Sequence, residues 1–129
     1  MPASLPGRPL ADALDWNHQV LCAADRLGYA EAWVGQHFTT PWEPIASPQQ
    51  VIARALAETS QLCLGTGVEV LYNAHPVRLA LELAQLDHQA RGRLMFGFGS
   101  GGTGTDFQLY GVDPRAEDRK STRLNSSHR

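Results

Sequence analysis

Three short apolar runs, centred on Trp33, Leu64 and Phe96, recur along this chain at intervals of about thirty residues. That interval is the length of one strand plus one helical crossover, the unit from which parallel sheets are built. The runs read "AEAWVG", "LCLGTGVEV" and "RLMFGFG", and the segments between them carry the period of amphipathic helices. Strands alternating with such helices predict an α/β fold with about three parallel strands.

The helices have legible ends. Leu10, Leu14, Leu21, Ala24 and Leu27 fall on one helical face, and Gly28 supplies the stop. Ser47-Pro48 opens a second helix running to about Ser60, with Ser47 as cap, Pro48 in the first turn and Gln50 completing a capping box. That helix is predicted to bury Val51, Ile52, Ala55, Leu56 and Thr59. A third begins at Pro76 and ends at Gly92, which makes His75 a loop-to-helix junction residue. Asp87, His88, Arg91 and Arg93 then lie where the third strand begins, in stabilising roles such as an Asp87–Arg93 pair.

Composition narrows the function classes. With 43% hydrophobic and 19% charged residues the chain is globular in type, and no apolar run approaches the ~20 residues of a membrane helix. A net charge of −2 gives no footprint for nucleic acid. Cys22 and Cys63 stand apart, as isolated thiols of a reducing compartment, and "MPASLPGRPL" has no export-signal pattern, so a cytoplasmic location is expected. No histidine and carboxylate spacing matches a metal motif, so no metal is expected.

Gly97, Gly99 and Gly102 spell G-x-G-x-x-G, the pattern of a dinucleotide-binding turn. The pattern needs a helix opening at its third glycine and an acidic residue about 20 positions onward. The glycines here begin inside the strand, no sustained helical stripe follows Gly102, and no Lys-Ser/Thr makes a P-loop. Alternating Gly97 and Gly99 instead leave one strand face bare, where a flat ligand or another backbone approaches.

Four collinear stretches, "LGYAEAWVGQHF", "TSQLCLGTGVEVL", "HPVRLALELAQLDHQARGRLMFGFGSGG" and "DFQLYGVDP", together resemble the bacterial luciferase-like family of flavin-dependent monooxygenases, over Leu10 to Pro114. "PWEPIASP" is similar to the subgroup of limonene and other hydrocarbon or ketone monooxygenases. The resemblance implies a partial TIM-type (β/α)8 barrel with its active site at the strand C-termini. It implies reduced FMN delivered by a flavin reductase, dioxygen, a small organic substrate and a homodimer of the full-length protein. It also implies cofactor-binding roles for Gly67, Val68, Gly99 and Ser100, with a non-proline cis peptide at Gly67-Val68. Two positions depart from the family pattern: Gln36-His37-Phe38 stands where Glu-His-His is common, and Ser100 where some luciferases carry a phosphate-binding arginine.

With the resemblance, His37 is the candidate catalytic group, acting as base or orienting the reaction. Glu69, near the end of an apolar strand, is a second catalytic candidate or one half of an ion pair. Phe38, Trp42 and Tyr72 wall an apolar substrate pocket or pack the rim loops. A deazaflavin coenzyme and hydride transfer is the alternative enzyme reading; a short non-enzymatic α/β module pairing its open edges with a partner is the other.

Residues 118–129, "DRKSTRLNSSHR", carry four cations against one anion. Their sequence is similar to a translated sequencing adapter, so the native domain is expected to be residues 1–117. A closed barrel takes about 250 residues, so the chain is expected to be a fragment truncated at both ends. Met1-Pro2 would then end a preceding strand, and the isolated fragment would be poorly stable and inactive, with two open sheet edges.

Overall fold

The computed structural model describes residues 7–113. The proposed boundary at residue 117, the tail and Met1-Pro2 lie outside the described residues. Helix α1 (Leu10–Arg26), strand β1 (Glu31–Val34), helix α2 (Pro48–Leu56) and strand β2 (Cys63–Val70) follow in order. A 3-10 turn (Leu71–Asn73), helix α3 (Pro76–Ala90), strand β3 (Leu94–Gly99) and a short helix α4 (Gly104–Tyr110) complete the described chain. The three strands are parallel, in the order β1-β2-β3.

Strand alternation builds the core. Val34 and Leu64 turn to the helices and meet Leu21, Ile45, Ile52, Ala55, Leu62 and Leu86. On the opposite face Trp33 pairs with Gly65. A Cβ on Gly65 would come within 2.6 Å of the Trp33 ring, so the glycine makes room for the indole.

Helix α1 departs from the expected stripe. Leu27 is 75% exposed and Leu10 also faces solvent, whereas Asn17, His18 and Asp25 are buried with Ala13, Leu21 and Cys22. Burial follows polar partners as well as hydrophobicity. Asp25 accepts from the backbone N–H groups of Ser60, Gln61 and Leu62 at 3.0, 2.9 and 2.7 Å. His18 reaches Glu58 at 3.0 Å.

Four further expectations are corrected. Helix α2 stops at Leu56, four residues before Ser60, although Thr59 is buried in the turn that follows. The Ser47 hydroxyl donates to Gln49 Oε1 at 3.0 Å and caps no backbone N–H, so the box with Gln50 does not form. Arg93 Nη1 donates to Thr59 Oγ1 and to the Leu62 carbonyl, each at 3.1 Å, rather than pairing with Asp87. Helix α4 was invisible in the periodicity because its seven residues bury only Asp106 and Phe107. At α3 the expectation holds: His75 caps the helix through Nδ1, which accepts from Val77 N–H at 3.3 Å, and Pro76 starts it. Arg91 and Gly92 end it in left-handed backbone.

Candidate active site at the strand C-termini

The C-terminal ends of all three strands open into one cavity of about 340 Å3. β1 contributes Gln36 and His37 just past its end, β2 Gly67 and Val68, and β3 Gly99 and Ser100. The sequence thus located five expected site residues, His37, Gly67, Val68, Gly99 and Ser100, in one place. The Gly67-Val68 peptide is cis, and the β2–β3 register shifts between Thr66 and Glu69. Thr66 spans that irregularity: its hydroxyl donates to Gly97 O at 3.0 Å and accepts from Gly97 N–H at 3.2 Å.

The glycines are there because neighbours occupy the space a side chain would need. A Cβ on Gly97 would lie 2.5 Å from the Thr66 carbonyl oxygen, and one on Gly99 would lie 2.7 Å from Val68 Cγ2. In the cavity itself Gly67, Gly99, Gly101 and Gly102 bring only backbone to the wall, a surface a flat ring can approach.

Gln36 ties this floor to the β1 end. Its Oε1 accepts from Val70 N–H at 2.7 Å, while Nε2 donates to Ala46 O at 2.9 Å and to Glu69 Oε1 at 3.4 Å. A carboxylate at position 36 would set a second acid against Glu69, whereas the Gln36 amide donates to it.

Glu69 is 2% exposed and lies outside the cavity lining, against Gln36 and Gln49, with Oε2 unpartnered. Burial pushes its carboxyl up, partly offset by the Gln49 and Gln36 amides beside it. Its folded-state pKa therefore exceeds the unfolded value of about 4.3. The protonated form is favoured by folding, and stability falls as pH rises above that value towards the folded pKa. Glu69→Gln is expected to remove this decline and to raise the thermal midpoint near neutral pH. Melts of both proteins from pH 4 to pH 8 check it; parallel pH profiles would contradict it.

His37 is held by its backbone N–H, which donates to Ile45 O at 2.9 Å. Its ring lies between two carboxylates, Nε2 at 3.7 Å from Glu43 Oε2 and Nδ1 at 3.7 Å from Asp106 Oδ2. The Thr103 hydroxyl is 3.3 Å from Nδ1. A part-exposed imidazole so flanked can hold or pass a proton at the cavity wall.

Asp106 was missed by sequence reasoning. It is buried, and its Oδ1 accepts from Thr39 N–H at 2.9 Å, Phe38 N–H at 3.3 Å and Thr39 Oγ1–H at 2.5 Å. It thereby fastens α4 to the loop that carries His37. The one available signal was an acidic residue before an aromatic in "DFQLYGVDP", directly after the glycine-rich stretch.

Of the expected substrate wall, Phe38 and Tyr72 join one aromatic cluster through Tyr110, with ring centroids 4.9 and 5.5 Å from it. Phe107 completes the cluster, 5.3 Å from Tyr72. Trp42 stands apart, 57% exposed.

The model of the luciferase-like monooxygenase family matches residues 2–123. The chain belongs to that family. Among curated relatives, 4-hydroxyprotoasukamycin monooxygenase of Streptomyces nodosus subsp. asukaensis is 42% identical over 98 residues, covering 76% of this chain and 26% of the relative. Limonene 1,2-monooxygenase of Rhodococcus erythropolis is 43% identical over 96 residues, covering 74% and 25%. The chain spans about a quarter of the length of these curated relatives.

Among solved structures, the oxygenating constituent of 3,6-diketocamphane monooxygenase from Pseudomonas putida, in complex with FMN, superposes with a TM-score of 0.84 at 24% identity. That match covers 92% of this chain and 35% of the other. Coenzyme F420-dependent tetrahydromethanopterin reductase from Methanopyrus kandleri superposes with a TM-score of 0.66 at 27% identity, covering 78% and 28%. The fold is therefore a partial TIM-type barrel, and the cavity lies at the end where such barrels place their active sites. Among the described residues, no helix is long and apolar enough to cross a membrane.

Proposed function

We propose that this chain is part of a flavin-dependent monooxygenase that uses reduced FMN and dioxygen to oxygenate a small organic substrate. The observation that carries the reading is the backbone floor of Gly67, Val68 and Gly99 beside His37, in a cavity at the strand C-termini. The floor fits a flat ring system, because Gly67 and Gly99 bring no side chain to the cavity wall. When bound, reduced FMN supplies the electrons and the site of oxygen activation, with one oxygen atom passing to substrate and the other leaving as water.

This chain's residues bind and orient. Gly67, Val68, Gly99 and Ser100 would support the ring, and Gln36 and Asp106 keep the surrounding loops in register. His37 holds or moves a proton at its ring nitrogens. No lysine or arginine is among the described cavity-lining residues. The phosphate would therefore be held by parts of a longer protein, which also supply most of the substrate pocket and the surface for a homodimer. Residues 118–129 are proposed to contribute nothing to this chemistry.

The structural likeness to a coenzyme F420-dependent reductase favours one second reading, hydride transfer with a deazaflavin coenzyme. Oxygen uptake by the longer protein separates the two. Uptake coupled to product formation with reduced FMN is expected; product formed with reduced deazaflavin and no oxygen uptake would establish the other. A homogeneous oligomer with affinity for neither coenzyme would support the non-enzymatic module. In the oxygen assay, His37→Gln is expected to lower turnover roughly tenfold to a hundredfold, and undiminished turnover would remove His37 from the chemistry.

A further inference from the structure

On the helix layer, away from this cavity, three side chains of different donor chemistry converge. His18 and Cys22 are four residues apart on α1 and so share one helix face. Glu58 reaches them from the turn after α2. His18 Nε2 is 3.0 Å from Glu58 Oε1 and 3.6 Å from Cys22 Sγ, and all three donor atoms lie within 4.8 Å of one another. No sequence motif announces the group, because its members come from two segments that only the fold brings together.

Hydrogen bonding alone serves this cluster poorly. With the proton on Nε2, the Glu58 bond forms, but Nδ1 is left as a buried acceptor without a donor. With the proton on Nδ1, that N–H is buried without an acceptor, and the Nε2 lone pair faces a carboxylate oxygen. A cation at the centre removes the repulsion of the second arrangement, because Nε2, thiolate and carboxylate all become donors to it, while the Nδ1 N–H stays as it was. In a tetrahedral zinc centre, nitrogen and sulfur donors sit about 3.5 Å apart, close to the separation seen here.

The geometry points to a binding site for a divalent first-row transition cation, zinc above all, held by His18 Nε2, Cys22 Sγ and Glu58 Oε1. Imidazole and thiolate select such an ion over magnesium or calcium. Thiolate and carboxylate together neutralise its charge, and the Cys22 thiol loses its proton to solvent on binding. Burial, reinforced by Glu58, holds that thiol above its ordinary range; Asp25 acts in the same sense, and Arg26 and Arg54 oppose them. Arg54 is engaged by Asp15 at 2.8 Å. The Glu58 side chain is 65% exposed, and His18 also lines a surface cavity of about 370 Å3, so water can take the fourth position. The ion would clamp α1 to the α2–β2 turn.

The test is a titration of the full 129-residue chain, stripped with chelator, with Co2+ as spectroscopic probe and then Zn2+. One equivalent of Co2+ is expected to give the visible bands of a four-coordinate ion and a near-ultraviolet thiolate-to-cobalt band, both bleached by Zn2+. Cys22→Ser is expected to abolish the thiolate band and Cys63→Ser to leave it. Glu58→Gln, at an exposed side chain whose amide can still accept from His18, is expected to weaken binding at least tenfold with an unchanged far-ultraviolet circular dichroism spectrum. Zn2+ is expected to raise the thermal midpoint of the wild type and not of Cys22→Ser. A cobalt spectrum without a sulfur band, a band that follows Cys63, or Glu58→Gln binding as tightly as wild type would overturn the site and leave a hydrogen-bonded triad only.

Discussion

Asp25→Ala is expected to lower the thermal midpoint of the chain by roughly 10 °C or more. Three consecutive backbone N–H groups, of Ser60, Gln61 and Leu62, converge on this one carboxylate. The Ser60 hydroxyl adds a fourth bond at 3.2 Å. Alanine leaves those donors at the start of β2 without their acceptor, and an unmade bond at a buried donor costs far more than the net gain of making it. The effect should spread, because Leu62 and Leu64 next to this turn are core residues.

The pH dependence separates this role from simple packing. The Gln61 and Leu62 N–H groups, foremost among its partners, hold the Asp25 carboxyl down at about 2. The unfolded value is about 3.9, so the folded pKa is the lower of the two. The stabilisation is thus complete above the unfolded pKa and is lost as pH falls towards 2. Melts between pH 5 and pH 2 should show a wild-type acid slope that is reduced in Asp25→Ala. A variant with the same acid slope would place the carboxylate's contribution elsewhere. This dependence runs opposite to that of Glu69, where burial without a full set of partners favours the neutral acid.

Gly97→Ala is expected to cost about 1–3 kcal/mol or more. The added methyl would stand 2.5 Å from the Thr66 carbonyl oxygen. That oxygen is backbone, so relief requires β3 to move off β2, and the movement breaks both Thr66 hydroxyl bonds to Gly97. Gly102→Ala is the control, since a Cβ there meets nothing within 4 Å. Thermal melts of the two variants, with hydrogen exchange along β3, give the comparison. Equal stability, or exchange in β3 no faster than wild type, would contradict the close approach of the strands.

The elements that were legible in the sequence are those whose signals are local. The strand-and-helix interval placed β1, β2 and β3, and Pro48, Pro76 and Gly92 marked helix ends because proline and left-handed glycine act within one turn. Reading Gly97 and Gly99 as a bare strand face rather than a phosphate loop rested on their position inside the strand. The buried polar residues were not legible. Asp25, His18 and Asp106 sit on helices among apolar neighbours, and each is buried because its partners arrive from segments 35 to 68 residues away. Hydrophobic periodicity cannot register such pairs, so Leu10 and Leu27 were assigned to the core in their place. Helix α4 escaped for a related reason: Asp106 and Phe107 are its only buried residues.

The candidate site divides in the same way. His37, Gly67, Val68, Gly99 and Ser100 line one cavity, since all lie in or just past the C-terminal halves of strands that the sequence already placed. Glu69 does not face the cavity with them, because the register shift after Thr66 accompanies its burial against Gln36 and Gln49. Gln36 could be understood only once that neighbour was visible.

Titration of the longer protein with FMN, comparing wild type with Ser100→Trp, tests the central claim most directly. Ser100 lines the cavity beside Gly99, and an indole there would fill the space over the glycine floor. Wild-type binding weakened at least tenfold by the substitution, with the fold unchanged by circular dichroism, is the expected result. Equal affinity in the two proteins would place the flavin elsewhere and leave this cavity without its proposed occupant.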